Sequence, residues 1–304
     1  MAYYPIAAGH PDYSGNFIPT IWSDKLNFKF YDASCARAIS NQNWEGEIKD
    51  QGDKVIINNI PSVTIRDYTK GQTLQHERPE ADPTELLIDQ GKYWDVVLDD
   101  VDKAQSMKGF VNKWSSDASE QMKIAIDTDA FASIYADVHA SNTGNSAGRK
   151  SGDISLGATG SPVTVSKVNI LDYIVDCGTV LDEQNVPEDG RWFVMPAWMC
   201  GMIKKSDLKD ATLSGDGTSM MRNGRLGMID RFELYRSNLL STYTADTATR
   251  CLFGHPNAWT FASQITKVER LRSETTFGEI LRGLNVYGFK VTYPAAMGML
   301  YATK

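Results

Sequence analysis

Apolar residues recur at three- and four-residue steps from Val101 through Ala104, Met107, Phe110, Trp114, Ala118, Met122, Ile126 and Ala130 to Ile134, a spacing that one face of an α-helix satisfies and a strand does not. Asp102 followed by Gln105 fits a capping box, and Asp99, Asp100 and Asp102 suit the positive end of a helix dipole. The spacing predicts one helix reaching about Val138, long enough to act as a spine. Its apolar stripe needs a covering layer, and the flanking segments read as strands.

Before the helix, Val55-Ile56-Ile57, Val63-Thr64-Ile65, Leu86-Leu87-Ile88 and Tyr93-Trp94-Asp95-Val96-Val97-Leu98 are β-branched or aromatic clusters bounded by glycines and prolines. Residues 69–84 between them are polar, so the segment reads as a long hairpin-like excursion with a polar tip. An isolated two-stranded ribbon is marginal in water, and something must cover it. Residues 1–43 hold aromatic anchors (Tyr3, Tyr4, Tyr13, Phe17, Trp22, Phe28, Phe30, Tyr31) with room for a short helix between Ile21 and Ile39.

After the spine, residues 141–162 form a Gly/Ser/Asn-rich loop suited to a sub-domain boundary. The pattern then predicts a helix over 166–184, a buried strand over 191–195, and a short helix opened by Pro196 and running to Ile203. Strands are expected near 228–235 and 250–253, a helix near 257–264 and a strand near 266–272. From Ile280, apolar residues fall at even spacings while glycines punctuate the run. Irregular alternation of strands and helices favours an α+β fold over a doubly wound sheet.

The chain has 304 residues and a formal net charge of −7. Proteins that grip nucleic acid carry a basic surplus or stripe, which this balance disfavours. There is no apolar run of the roughly 20 residues a membrane helix needs, and the first residues lack the basic start and apolar centre of a secretory signal. The expected setting is a cytoplasm. Cys35, Cys177, Cys200 and Cys251 are scattered without a Cys-x-x-Cys pair and read as reduced core thiols.

The residues offer no catalytic, cofactor-binding or metal-binding site. Gly144 to Ser151 superficially suggests a phosphate loop, but the glycine spacing is short, Arg149 intrudes and a helix precedes it. Asp99, Asp100 and Asp102 are accounted for by capping rather than metal. His10, His76, His139 and His255 stand apart, with His139 placed to meet a helix C-terminus. Trp44, Trp94, Trp114, Trp192 and Trp259 lack interleaved basic residues and read as core or interface anchors, not stacking platforms.

In this order the parts resemble the major capsid proteins of tailed bacteriophages with the Hong Kong 97 fold. The residues carrying the resemblance are Leu86-Leu87-Ile88-Asp89-Gln90 through Asp99-Asp100-Val101-Asp102-Lys103-Ala104-Gln105, the run from Asn223 to Asn238, and the closing stretch around Gly283-Leu284-Asn285-Val286-Tyr287-Gly288. The resemblance implies an N-terminal arm (1–43), an extended loop (44–98), a peripheral domain with the spine helix (99–165), an axial domain (166–272) and peripheral return strands (273–304). It implies a non-enzymatic coat protein of the virion, assembled as hexamers and pentamers in a bacterial cytoplasm into an icosahedral head. The head would enclose double-stranded DNA without gripping it specifically. A separate scaffolding protein, a portal protein and a cement or decoration protein are the implied partners, with no membrane. An encapsulin-like container shares the implied fold, and a stand-alone soluble enzyme is the alternative from another class. Some relatives join an extended-loop Lys to a neighbour's Asn. Lys70 and Asn285 are the pair the regions allow, but no local pattern supports that bond.

Overall fold

The computed structural model describes residues 31–32, 34–45, 54–61, 63–80, 83–100, 110–206, 227–243, 247–274 and 277–304. Most of the expected arm, the capping box at Asp102 and the first turns of the expected spine helix lie outside them.

The larger of two principal sheets has seven strands. Its order is β4 (Val163–Thr164), β12 (Met297–Thr303), β9 (Ala248–Gly254), β5 (Arg191–Met195), β7 (Phe232–Arg236) and β6 (Met228–Ile229), with β8 (Thr242–Tyr243) also paired to β9. The β5–β7 and β12–β4 pairs are parallel and the others antiparallel. Every residue of β5 is buried, which is why it runs apolar without alternation from Trp192 to Met195 once past Arg191. Phe193, Phe232 and Phe253 meet at ring-centroid distances of 5.9–6.2 Å in tilted and edge-on arrangements, geometries that aromatic quadrupoles favour. The helix α3 (Ile170–Glu183) packs on β12 and on α4 (Ala197–Ile203).

Arg191, fully buried at the start of β5, ties the end of α3 to the sheet. Its guanidinium donates to Asp182 Oδ1 (2.6 Å) and to the carbonyls of Val186 (2.7 Å), Pro187 (2.9 Å) and Gly178 (3.3 Å). A buried charge is tolerated when its donors are satisfied in this way.

The second sheet is antiparallel, in the order β10 (Trp259–Arg272), β11 (Gly278–Val291), β3 (Gln90–Asp99), with a bulge between Ser263 and Ile265. Close approach explains two glycines in β11. A Cβ at Gly283 would lie 2.3 Å from Trp94 Nε1, and one at Gly288 would lie 2.0 Å from the Leu87 carbonyl oxygen.

The long helix α2 (Phe110–Ser133) tightens into a 3-10 turn at Ile134–Asp137 and lies against β3. Two carboxylates two residues apart, hence on opposite sides of a helix, secure it to its neighbours. Asp129 accepts from Tyr287 Oη at 2.8 Å and pairs with Lys92 at 2.6 Å. Asp127 accepts from the short helix α1 (Ala36–Ile39) and the residues just before it. A separate small cluster of Ile57, Leu86, Ile88 and Ala262, with Trp44, Val55 and Val286 around it, seats the base of the excursion. That base is the antiparallel pair β1 (Lys54–Asn58) and β2 (Pro83–Leu87).

Several expectations change. The helix expected near 257–264 is a 3-10 turn at Pro256–Ala258 followed by β10. The pairing of Trp259 to Ser263 with β11 satisfies the backbone and overrides an ambiguous apolar run. Val63-Thr64-Ile65 joins no ladder, because neither face of the excursion is covered. The run expected as one strand near 228–235 is a hairpin turning at Asp230 and Arg231, both with positive φ (44° and 67°). Pro196 caps α4 rather than opening it.

Candidate functional site

The phosphate-loop lookalike is closed by the chain itself. Glu183 Oε2 accepts from the backbone N–H groups of Lys150 (2.6 Å) and Ser151 (3.2 Å), which hold its carboxyl below the usual range. The loop is closed on itself, through Gly148 N–H to the Ser141 carbonyl and Leu156 N–H to that of Gly144, both 2.8 Å, and bound to the body by Tyr301 N–H donating to the Leu156 carbonyl (2.8 Å) and Asn142 Nδ2 to the Met297 carbonyl (2.9 Å). The loop expected as a sub-domain boundary therefore buries Asn142, Ala147 and Leu156.

The remaining titratable residues are dispersed. Asp100 pairs with Arg272 at 2.6 Å, Asp99 ends β3, and Asp102 lies outside the described residues. His76 is exposed in the excursion. His139 does not meet a helix C-terminus: its Nδ1 accepts from Ser141 N–H at 3.2 Å and caps the next 3-10 turn. His255 does the same for Asn257 N–H, and burial, with Arg191 nearby, holds its pKa below the ordinary imidazole value. His10 lies outside the described residues. All four cysteines are buried; burial raises the Cys200 thiol to about 11 and the Cys35 thiol to about 12, so neither is a nucleophile near neutral pH. Among the described residues no cluster of His, Cys, Asp or Glu has the arrangement to hold a metal. Trp192 and Trp259 lie in the core, whereas Trp44, Trp94 and Trp114 are half-buried.

What the chain does present is uncovered apolar surface on extended elements. Beyond β1 and β2 side chains join the excursion's arms, Thr64 Oγ1 donating to Glu77 (3.2 Å) and Arg66 to Gln75 Oε1 (2.9 Å), and at the tip Gln72 N–H donates to the Thr69 carbonyl (3.0 Å). Ile60 and Ile65 are 94% and 91% exposed, and Val63, Tyr68 and Leu74 are exposed beside them.

A second uncovered face lies on the three-stranded sheet. Its register aligns Tyr93 with Leu284 and Lys267, then Asp95 with Arg282 and Glu269, then Val97 with Ile280 and Leu271, so that the apolar pair Tyr93 and Leu284 and the apolar row Val97, Ile280 and Leu271 flank an ionic row. Tyr93 is 79% exposed, Val97, Leu284 and Leu271 are also exposed, and Phe277 at the hairpin tip is 86% exposed. Exposed apolar side chains gathered in this way mark an interaction surface. The sequence shows Tyr93 and Val97 as strand residues, but that no second layer covers them is a tertiary fact. Of the Lys70 and Asn285 pair, Lys70 is exposed near the tip, and Asn285 Oδ1 accepts from Ser263 Oγ at 3.0 Å.

A family model described as phage capsid protein matches residues 83–300. No curated protein matches the chain in sequence. Among solved structures, a chain from Mycobacterium phage Che8 is 27% identical with a TM-score of 0.75, the match covering 93% of this chain and 97% of that one. The capsid of cyanophage P-SCSP1u is 14% identical with a TM-score of 0.71, over 95% and 94%. The mature capsid of bacteriophage PhiM1 is 16% identical with a TM-score of 0.64, over 94% and 92%.

Proposed function

The chain belongs to the phage capsid protein family, and from that premise we propose that its uncovered extended elements are the contacts by which copies bind one another as hexamers and pentamers. It is a structural protein and not an enzyme, a major capsid protein of tailed-phage heads that assembles with itself into icosahedral shells of the virion. The observation that carries the proposal is the excursion, whose apolar side chains have no cover within the subunit.

The parts then take these roles. Residues 44–98 are the extended loop, whose closing strand β3 also joins the three-stranded sheet; that sheet with α2 is the peripheral domain, and the seven-stranded sheet is the body of the axial domain, so that on this reading β10 goes with the peripheral part and β12 with the axial part, unlike the bounds 166–272 and 273–304. A neighbour's surface covers Ile60, Val63, Ile65, Tyr68 and Leu74, so each contact is moderate and the closed shell gains by their number. A separate scaffolding protein guides closure, a portal protein occupies one vertex, and a cement protein has the outer face to bind. Double-stranded DNA is enclosed without specific contacts, in keeping with the net charge of −7. No covalent Lys70 to Asn285 bond is needed.

The test is electron microscopy and light scattering on the protein expressed with its scaffolding partner. Shells, tubes or capsomer rings are expected, and boiled samples should run as a single monomer band. A strictly monomeric compact particle would overturn the proposal.

A further inference from the structure

Asp127 is 3% exposed and sits in the last third of α2, where it serves a segment distant in sequence. Its Oδ2 accepts from the backbone N–H groups of Cys35 (2.8 Å) and Ala36 (3.2 Å), and its Oδ1 accepts from Ser34 Oγ (3.1 Å). These partners lie 91–93 residues away in sequence. Seven residues beyond Ser34 the same segment is clamped again: Asn41 N–H donates to the Trp259 carbonyl (3.0 Å) and Phe261 N–H to the Asn41 carbonyl (3.1 Å). Just before it, Asn238 Nδ2 donates to Asp32 at 3.3 Å. Residues 32 and 34–41 therefore touch the loop after β7, α2 and the start of β10 in turn.

We propose that this segment is a strap pinned by Asp127, which opens as a unit while both sheets stay folded. Its apolar anchors are few and mostly small: Cys35, Ala36 and Ile39 are its buried hydrophobic residues. Its polar pin is a carboxylate with no ion-pair partner among the described residues, and water would solvate that charge as soon as the strap lifted. Small apolar gain and recoverable hydration are what distinguish a locally opening element from the ring-packed sheet.

Amide hydrogen exchange on the unassembled full chain tests it, independently of whether shells form. In the wild type, Cys35, Ala36, Ala38 and Ile39 should exchange at least tenfold faster than Leu252 and Phe253 of β9. Asp127→Ala should accelerate the first group at least tenfold further; the second gains at most the same factor, because global unfolding releases the same bonds, so the first group stays at least tenfold ahead. Ser34→Ala removes one bond and keeps the carboxylate, so it should give a smaller acceleration of the same strap amides; it decides the matter if Asp127→Ala does not fold. Equal exchange of the two groups in the wild type or in either variant, or no acceleration of the strap amides in either variant, would overturn the strap.

Discussion

The seven-stranded sheet and the excursion are built from similar residues and treat them in opposite ways. In the sheet, Phe193, Phe232 and Phe253 lock together and β5 is buried along its whole length. In the excursion, Ile60, Val63, Ile65, Tyr68 and Leu74 stand in water, on arms joined by side-chain hydrogen bonds and the Arg66–Glu77 ion pair. The first region holds what the subunit needs in order to fold. The second carries apolar surface that becomes useful when another molecule covers it, so folding and assembly draw on separate residues.

The largest effect expected from this division is in the sheet. Phe253→Ala removes a buried ring from the three-ring cluster and should destabilise the subunit by about 3–5 kcal/mol, read as a lower denaturant midpoint, with particle yield falling in step. A loss below about 1 kcal/mol would mean the cluster is not the centre of the fold. Trp114, expected from its helical spacing to be a spine anchor, is half-buried, so its replacement by Ala should matter less than that of Phe253.

How much of this was legible in the sequence follows from the range of the interactions. The spine helix, β5, α3 and the paired parts of the excursion were visible because each is written in local periodicity. The 257–264 segment was misread because Trp259, Phe261 and Ala262 suit a short buried helix as well as a strand, and only β11, lying opposite, decides between them. The Asp127 contact with Ser34, Cys35 and Ala36 spans more than ninety residues and leaves no local signal. Nor could spacing show that Glu183 fills the loop at Lys150 and Ser151, or that the outer row of Tyr93 and Val97 lacks a covering layer.

A smaller effect is expected where the helix meets the long sheet. Tyr287→Phe keeps the ring in place and removes the hydroxyl that donates to Asp129. Burial and then Asp129 raise the Tyr287 pKa, so the hydroxyl stays protonated across the working pH range. Its loss should cost about 1 kcal/mol, since Lys92 still pairs with Asp129. A change as large as that of Phe253→Ala would show that the helix is held chiefly by this one bond.

The pH dependence should expose Asp127. Burial raises its pKa more than the hydrogen bonds from Ala36, Cys35 and Ser34 lower it. A carboxyl whose folded pKa exceeds its unfolded value binds its proton more tightly when folded. Its favourable contribution is therefore complete below the unfolded pKa of about 3.9 and is lost as pH rises through the folded value. Relative to Asp127→Asn, wild-type unfolding free energy should fall as pH rises from about 4 towards neutrality. A rising difference would mean the three hydrogen bonds outweigh burial.

The smallest expected effect on folding is paired with the largest on assembly. Since β2 begins at Pro83, the replaceable part of the excursion ends before it, and exchanging residues 63–80 for a short Gly-Ser turn leaves the β1–β2 ladder and the Leu86 cluster intact. Shortening an exposed loop changes closure entropy by only about 0.6 kcal/mol per halving of its length, and no buried side chain is removed. The subunit should unfold at nearly the wild-type denaturant concentration while shells fail to form or break easily. If the shortened chain assembles normally, Val63, Ile65, Tyr68 and Leu74 are not contact residues, and Ile60 and the sheet face around Tyr93 must carry assembly. If it unfolds as readily as Phe253→Ala, the excursion supports the fold of its own subunit, and the separation between folding and assembly residues does not hold for this chain.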